Sequence, residues 1–264
     1  MGNKKIWTLD KEGNEVLRDL KKENEIYLIE GYRMSNQFRN DYNAGILDAN
    51  NYQWYEMFNN WVCDDNGCDY ERYGCYIKED DVVLDIGANI GIFSHRAEVR
   101  GASKVISFEP ITPTFNCLIK NIGPKTSVYK MAVGSENKWL DFKIHTDYTH
   151  IGGGSSKDDI INNRSVIHQE KVYMININDL FNNLSEKIDF MKVDIEGGEV
   201  DLFNTITDKN LSSLRCVSCE FHKINEQFDD FQDAFIDRMN RLGFKSFVLY
   251  LGGGDLRTVN FWKE

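Results

Sequence analysis

The stretch Val82-Val83-Leu84-Asp85-Ile86-Gly87-Ala88-Asn89-Ile90-Gly91-Ile92-Phe93 decides the fold. Its first half is a short apolar run that stops at glycine, the signature of a strand buried on both faces. A strand ending at glycine lets backbone approach a ligand closely, and the helix that follows presents free N–H groups to it. The loop Gly87-Ala88-Asn89 is therefore a candidate cofactor contact. A dinucleotide fingerprint would read G-x-G-x-x-G; here the glycines fall as G-x-x-x-G, with Asn89 where the second glycine would stand. That spacing disfavours a nicotinamide-dependent oxidoreductase, the main rival reading. It suits a loop meeting an adenosine and an amino-acid tail.

Working outward, GIFSHRAEVRG predicts a helix closed by Gly101, KVISFEP a second strand, TFNCLIKNI a second helix and SVYKMAVG a third strand. This alternation implies a doubly wound, mostly parallel sheet with helices on both faces. Residues 138–175 read as an inserted hairpin with a mobile loop at HIGGGSS, after which IDFMKVDIEGGE and RCVSCEFH resume the central strands. Phe228, Phe231, Phe235, Met239 and Leu242 recur at helical steps between Asn225 and Leu242, and Gly243 ends that helix. FKSFVLYLGGGDLRTVNFWKE predicts a closing antiparallel hairpin. Residues 1–75 stand apart as a small extension of short strands and an aromatic-rich helix (Tyr52, Trp54, Tyr55, Phe58, Trp61), packed on the main domain or capping the substrate; 76–264 form that domain.

Glu109 ends the second strand 24 positions after Asp85, where a carboxylate can accept hydrogen bonds from both ribose hydroxyls of a nucleoside. Pro110 and Ile111 would lie beside the adenine, with Met131 and Ala132, ending the third strand, on its other side. In Lys192-Val193-Asp194-Ile195-Glu196 the charged residues would share one strand face, and a lysine and an aspartate in an apolar central strand must pair or do chemistry. Glu220 and His222 add a carboxylate and an imidazole at the end of the next strand. His95, His145, His150 and His168 read as surface or loop residues.

These runs together, DVVLDIGANIGIFS, SFEP, IDFMKVDIEGGE and CEFH, resemble the FkbM family of S-adenosylmethionine-dependent methyltransferases over about residues 80–223. The resemblance implies a class I, Rossmann-like methyltransferase fold and O-methylation of hydroxyls on sugars, glycans or related natural products. It puts cofactor contacts at Asp85, Gly87, Asn89, Gly91 and Glu109, and the active-site signature at Lys192, Asp194, Glu196 and Glu199. His222, whose unperturbed pKa lies near neutrality, is the favoured base, with Asp194 orienting the hydroxyl. The rim carboxylates could instead hold Mg²⁺ against a vicinal diol.

A net charge of −11 without a basic run opposes nucleic-acid partners, leaving a small molecule or glycan as substrate. A nucleic-acid methyltransferase is further opposed by Asp194-Ile195-Glu196, where amino-methylating enzymes carry an Asn/Asp-Pro-Pro-aromatic turn. No segment approaches the roughly 20 apolar residues of a membrane span, and the N-terminus lacks a signal-peptide core, so a cytoplasmic protein is expected. Cys216 and Cys219, three apart on a strand, point to opposite faces, which argues for reduced cysteines over a zinc site.

Overall fold

The structure is a computed structural model that describes residues 5–9, 15–19, 68–145, 166–222, 228–251 and 256–264. Strands β1 (Lys5–Leu9) and β2 (Glu15–Asp19) pair antiparallel. The aromatic run Tyr52 to Trp61, Cys63 and the HIGGGSS loop lie outside the described residues.

Among the described residues, seven strands make the main sheet. They are β3 (Val82–Ile86), β4 (Lys104–Phe108), β5 (Thr126–Tyr129), β9 (Phe190–Val193), β10 (Cys216–His222), β11 (Lys245–Leu251) and β12 (Leu256–Trp262). Their order is β11-β12-β10-β9-β3-β4-β5. The pairings of β10, β9, β3, β4 and β5 are parallel, and β12 runs antiparallel to both of its neighbours. This is the doubly wound sheet with a closing antiparallel hairpin that the sequence predicts. From β3 the chain moves outward to β4 and β5, then returns to the other side of β3 for β9. Ligands bind at such a switch point, beyond the C-terminal ends of the strands.

Burial on both faces explains the apolar runs. Leu84, Ile106, Met191 and Val217 enter one core cluster, while their neighbours Val83, Val105, Phe190 and Cys216 enter the other. The first cluster packs on α3 (Ile177–Asn183), α4 (Glu199–Thr205), α5 (Asp208–Ser213) and α6 (Phe228–Arg241). The second packs on α1 (Ile92–Val99); α2 (Thr112–Asn121) follows β4. Cys216 and Cys219 fall in opposite clusters, and Cys68, Cys75, Cys216 and Cys219 are free and buried.

Three expectations change. Cys68, Tyr70, Cys75 and Ile77 fill the α1-side core, so residues 68–75 belong to the α/β domain and a boundary at 75 would cut through its packing. The run SVYKMAVG is two strands: β5 ends at Tyr129, and β6 (Ala132–Gly134) leaves the main sheet to pair with another. That second sheet, ordered β6-β8-β7, pairs β7 (Lys138–His145) antiparallel with β8 (Val166–Asn176). His95 sits half-buried on α1 and His145 and His168 lie in strands β7 and β8, not in loops.

Candidate active site

A cavity of about 280 Å³ opens at the switch point, between the ends of β3, β4 and β9 and the inserted sheet. Its floor is the loop after β3. There the Gly87 and Ala88 N–H groups both donate to the Phe108 carbonyl, at 3.0 and 2.9 Å, which ties the loop to β4. Gly87 has φ +78°, and a Cβ on it would lie 1.7 Å from the Asp194 carbonyl oxygen. Only glycine lets the ends of β3 and β9 come this close.

Glu109 follows β4 and lines the cavity, yet it is 5% exposed. One carboxylate oxygen accepts from the Asn89 N–H at 2.9 Å, the other from the Ile111 N–H at 2.9 Å and the Thr114 hydroxyl at 2.7 Å. Burial pushes its pKa up to about 7 despite these donors. Asn89 also lines the cavity, at φ +51°, and its buried Oδ1 has no hydrogen-bond partner among the described residues. Pro110, Ile111, Met131 and Ala132 form the apolar wall beyond Glu109, and Leu140, Phe142 and Met174 of the inserted sheet continue it.

Asp85, Ala88 and Gly91 do not line the cavity. Asp85 lies beneath the loop, fully buried, accepting from the Ser94 hydroxyl at 2.6 Å. Gly91 packs on α2, where a Cβ would meet Leu118 at 2.8 Å. These positions shape the loop; Gly87, Asn89 and Glu109 are the ones that line the cavity.

The carboxylate motif is also redistributed. Strand β9 ends at Val193 and Glu196 sits in a turn at φ +52°, so Glu196 leaves the row, while Lys192 and Asp194 still meet on the Tyr70 side. Lys192 is buried below the loop. Its ammonium donates to the Gly87 carbonyl at 2.6 Å and lies 3.4 Å from Asp85 and 3.6 Å from Asp194. Burial alone would lower its pKa, but Asp85 and Asp194 more than offset that, so the lysine stays charged. Glu199, fully buried at the start of α4, accepts from the Ile195 N–H at 3.0 Å and from the Gly197 N–H at 3.1 and 3.0 Å, closing the turn. Asp194 and Glu196 are the members that face the cavity.

His222 is clamped, its Nε2 3.2 Å from Glu196 and its Nδ1 3.2 Å from Glu199. Burial would depress its pKa, but the two carboxylates raise it well above the ordinary value. Clamped in this way, His222 is not among the residues that line the cavity. Atoms of Asp194, Glu199 and His222 come within 4.8 Å of one another, the spacing of a cation site. The donor set does not fit Mg²⁺: both His222 nitrogens face carboxylates, Glu199 is held by backbone N–H groups, and Lys192 already supplies a cation beside Asp194.

Sequence reading missed Tyr70. Its buried hydroxyl bridges Asp194, at 3.0 Å, and Glu220. Glu220 is half-buried behind Asp194 and is not part of the cavity wall. No motif surrounds Tyr70, and its partners lie 124 and 150 residues away.

Strand order and a cavity at the switch point define a class I, Rossmann-like methyltransferase fold. A family model described as the methyltransferase FkbM domain matches residues 85–246, and the chain belongs to that family. It is 26% identical over 239 residues to the AMB antimetabolite synthetase AmbE of Pseudomonas aeruginosa; the match covers 76% of this chain and 11% of that protein. Similar solved structures include the methyltransferase FkbM from Methylobacillus flagellatus KT (12% identity, 88% of this chain and 58% of that one, TM-score 0.44). Another is Aeropyrum pernix fibrillarin in complex with natively bound S-adenosyl-L-methionine (9% identity, 73% and 70%, TM-score 0.42). Among the described residues no helix is long and apolar enough to cross a membrane.

Proposed function

We propose that this methyltransferase transfers the methyl group of S-adenosylmethionine to a hydroxyl of a sugar, glycan or related natural product. The observation that carries the reading is one cavity with two chemical ends. At one end Glu109, the unpartnered Asn89 oxygen and the Pro110–Ile111 wall suit a nucleoside with an amino-acid tail; at the other, Asp194 offers a carboxylate. When bound, S-adenosylmethionine supplies a methyl group on a sulfonium. Glu109 would accept from the ribose hydroxyls, and the Asn89 oxygen would accept from a cofactor donor.

Asp194 takes the hydroxyl proton as the acceptor oxygen gains the methyl group, replacing His222 in that role. Lys192 holds Gly87 and Asp194 in register, so the base and the cofactor loop move as one unit. The similarity of a segment of AmbE, an antimetabolite synthetase, to this chain keeps natural-product intermediates among the acceptors to screen. The protein, incubated with small-molecule and glycan extracts and isotopically labelled donor, should yield labelled methyl ethers by mass spectrometry and NMR. Label found only on nitrogen or carbon would overturn the O-methylation reading.

A further inference from the structure

We propose that Asp194, Tyr70 and Glu220 form a buried proton relay, in which the proton taken from the acceptor hydroxyl passes through the Tyr70 oxygen to the Glu220 carboxylate. The proposal rests on the O-methylation reading and extends it to two residues outside the cavity wall. One of them, Tyr70, lies before the residues the family model matches.

The geometry carries it. One phenol oxygen lies within hydrogen-bond distance of two carboxylates, but it has one proton, so it donates to only one at a time. Tyr70 is fully buried, its ring edge-on to Phe93 at 5.6 Å, so its hydroxyl is held between the two acids without competition from water. Burial, Asp194 and Glu220 together raise its pKa well above the ordinary value, so it passes protons on without resting as a phenolate. The Lys192 ammonium, 5.2 Å from the ring centroid and 3.6 Å from Asp194, balances the acid pair.

The proton count closes. As the acceptor oxygen bonds to the methyl carbon, the carbon–sulfur electron pair leaves with sulfur and the hydroxyl proton moves to Asp194. Asp194 then returns that proton to the Tyr70 oxygen while Tyr70 gives its own to Glu220. Tyr70 ends unchanged, Asp194 is again a carboxylate, and the proton sits on a half-buried acid from which it can leave to water. Burial first, and Asp194 second, push Glu220 up to about 7, which suits a group that must both accept and release a proton near neutrality. The other groups around it are His222 and the Cys219 thiol on its own strand, Lys192 on β9 and the Glu196 carboxyl in the turn after β9. Across the sheet β12 opposes it with the uncharged Thr258. Asp85, Glu196 and His222 complete the charges around Asp194.

Infrared difference spectra of the whole protein holding S-adenosylhomocysteine, titrated from pH 6 to 8, test the proton chain without turnover. A carboxyl absorption that disappears near pH 7 should be missing in Glu220→Gln. In Tyr70→Phe its midpoint should move upward, by roughly one pH unit, because the ionised acid has lost its donor. With the acceptor identified in the labelled-methyl screen, both variants should keep cofactor affinity and acceptor KM. Their kcat should fall about 10- to 100-fold and lose its rise through pH 7. A pH 6–8 spectrum unchanged in Glu220→Gln, or wild-type kcat and pH profile in a folded Tyr70→Phe enzyme, overturns the relay. If Tyr70→Phe fails to fold by circular dichroism, Glu220→Gln decides by the same criteria. Absence of any methyl ether counts against the O-methylation reading alone, since the spectra judge the proton chain separately.

Discussion

On the proposed reading Glu109 should couple cofactor binding to pH, and the size of the effect follows from its surroundings. Its carboxyl is buried and titrates at about 7, raised from 4.5 chiefly by desolvation. Ribose hydroxyls donate to the ionised form, so binding favours the carboxylate and lowers its pKa in the complex. The affinity is then full above pH 7 and is lost as pH falls through 7. At pH 8 about nine-tenths of the free protein is ionised at Glu109 and at pH 6 about one-tenth, a difference of about tenfold in Kd, or ~1.4 kcal/mol. Folding stability has the opposite sign. A raised folded-state pKa gives stability that is complete below the unfolded value of 4.5 and lost as pH rises through about 7. Calorimetry with S-adenosylhomocysteine at pH 6, 7 and 8, in two buffers of different ionisation enthalpy, measures both the slope and the proton released. Glu109→Gln, which cannot ionise, should bind more weakly throughout and lose this slope. Affinity flat across pH 6–8 in the wild type, with no proton release, would refute the assignment.

Three further outcomes are expected. Gly87→Ala should lower stability by ~3 kcal/mol or more, and Tm by roughly 6–12 °C in thermal denaturation, because its Cβ would meet the Asp194 carbonyl at 1.7 Å; an unchanged Tm contradicts the close approach of β3 and β9. Asp194→Asn should bind S-adenosylhomocysteine normally while methyl transfer falls roughly 10²–10⁴-fold, so full turnover in a folded variant removes Asp194 as base. His222→Gln leaves Glu196 and Glu199 without their shared cation and should destabilise the protein by about 3 kcal/mol in urea unfolding. The kcat rise through pH 7 should survive that change, and its loss would return His222 to the base role.

The central strands were legible because β3, β4, β9 and β10 are buried on both faces, which forces continuous apolar runs bounded by glycine and polar turns. The mostly parallel, doubly wound sheet and the closing hairpin followed from the alternation of elements. Helices α4 and α5 were not legible, since six or seven residues cannot display a helical period. Neither was the break after Tyr129, because β5 and β6 lie only two residues apart and read as one run, while β6 pairs with a different sheet.

At the site, residue type was informative and residue depth was not. Asp85 and Lys192 are interlopers in apolar strands, and that alone showed that the strands meet at something charged. A strand position fixes which face a side chain takes, but not whether it lies under a core helix or out at the crevice. Asp85 and Lys192 are interior to their strands and point to the α1 side, where they can only brace the loop. Asp194 comes one residue after β9 ends, and that residue takes its side chain out of the packed layer and into the cavity. The spacing K-x-D-x-E-G-x-E therefore encodes a turn, not a row of catalytic groups. Lys192 supports it from below, Asp194 and Glu196 face the cavity, Gly197 takes φ +98°, and Glu199 binds the turn's own N–H groups. A period of two read through that turn placed three charges on one face because it continued the strand past Val193. The same over-extension made His222 a free imidazole at a rim, when the turn brings two carboxylates back onto its ring.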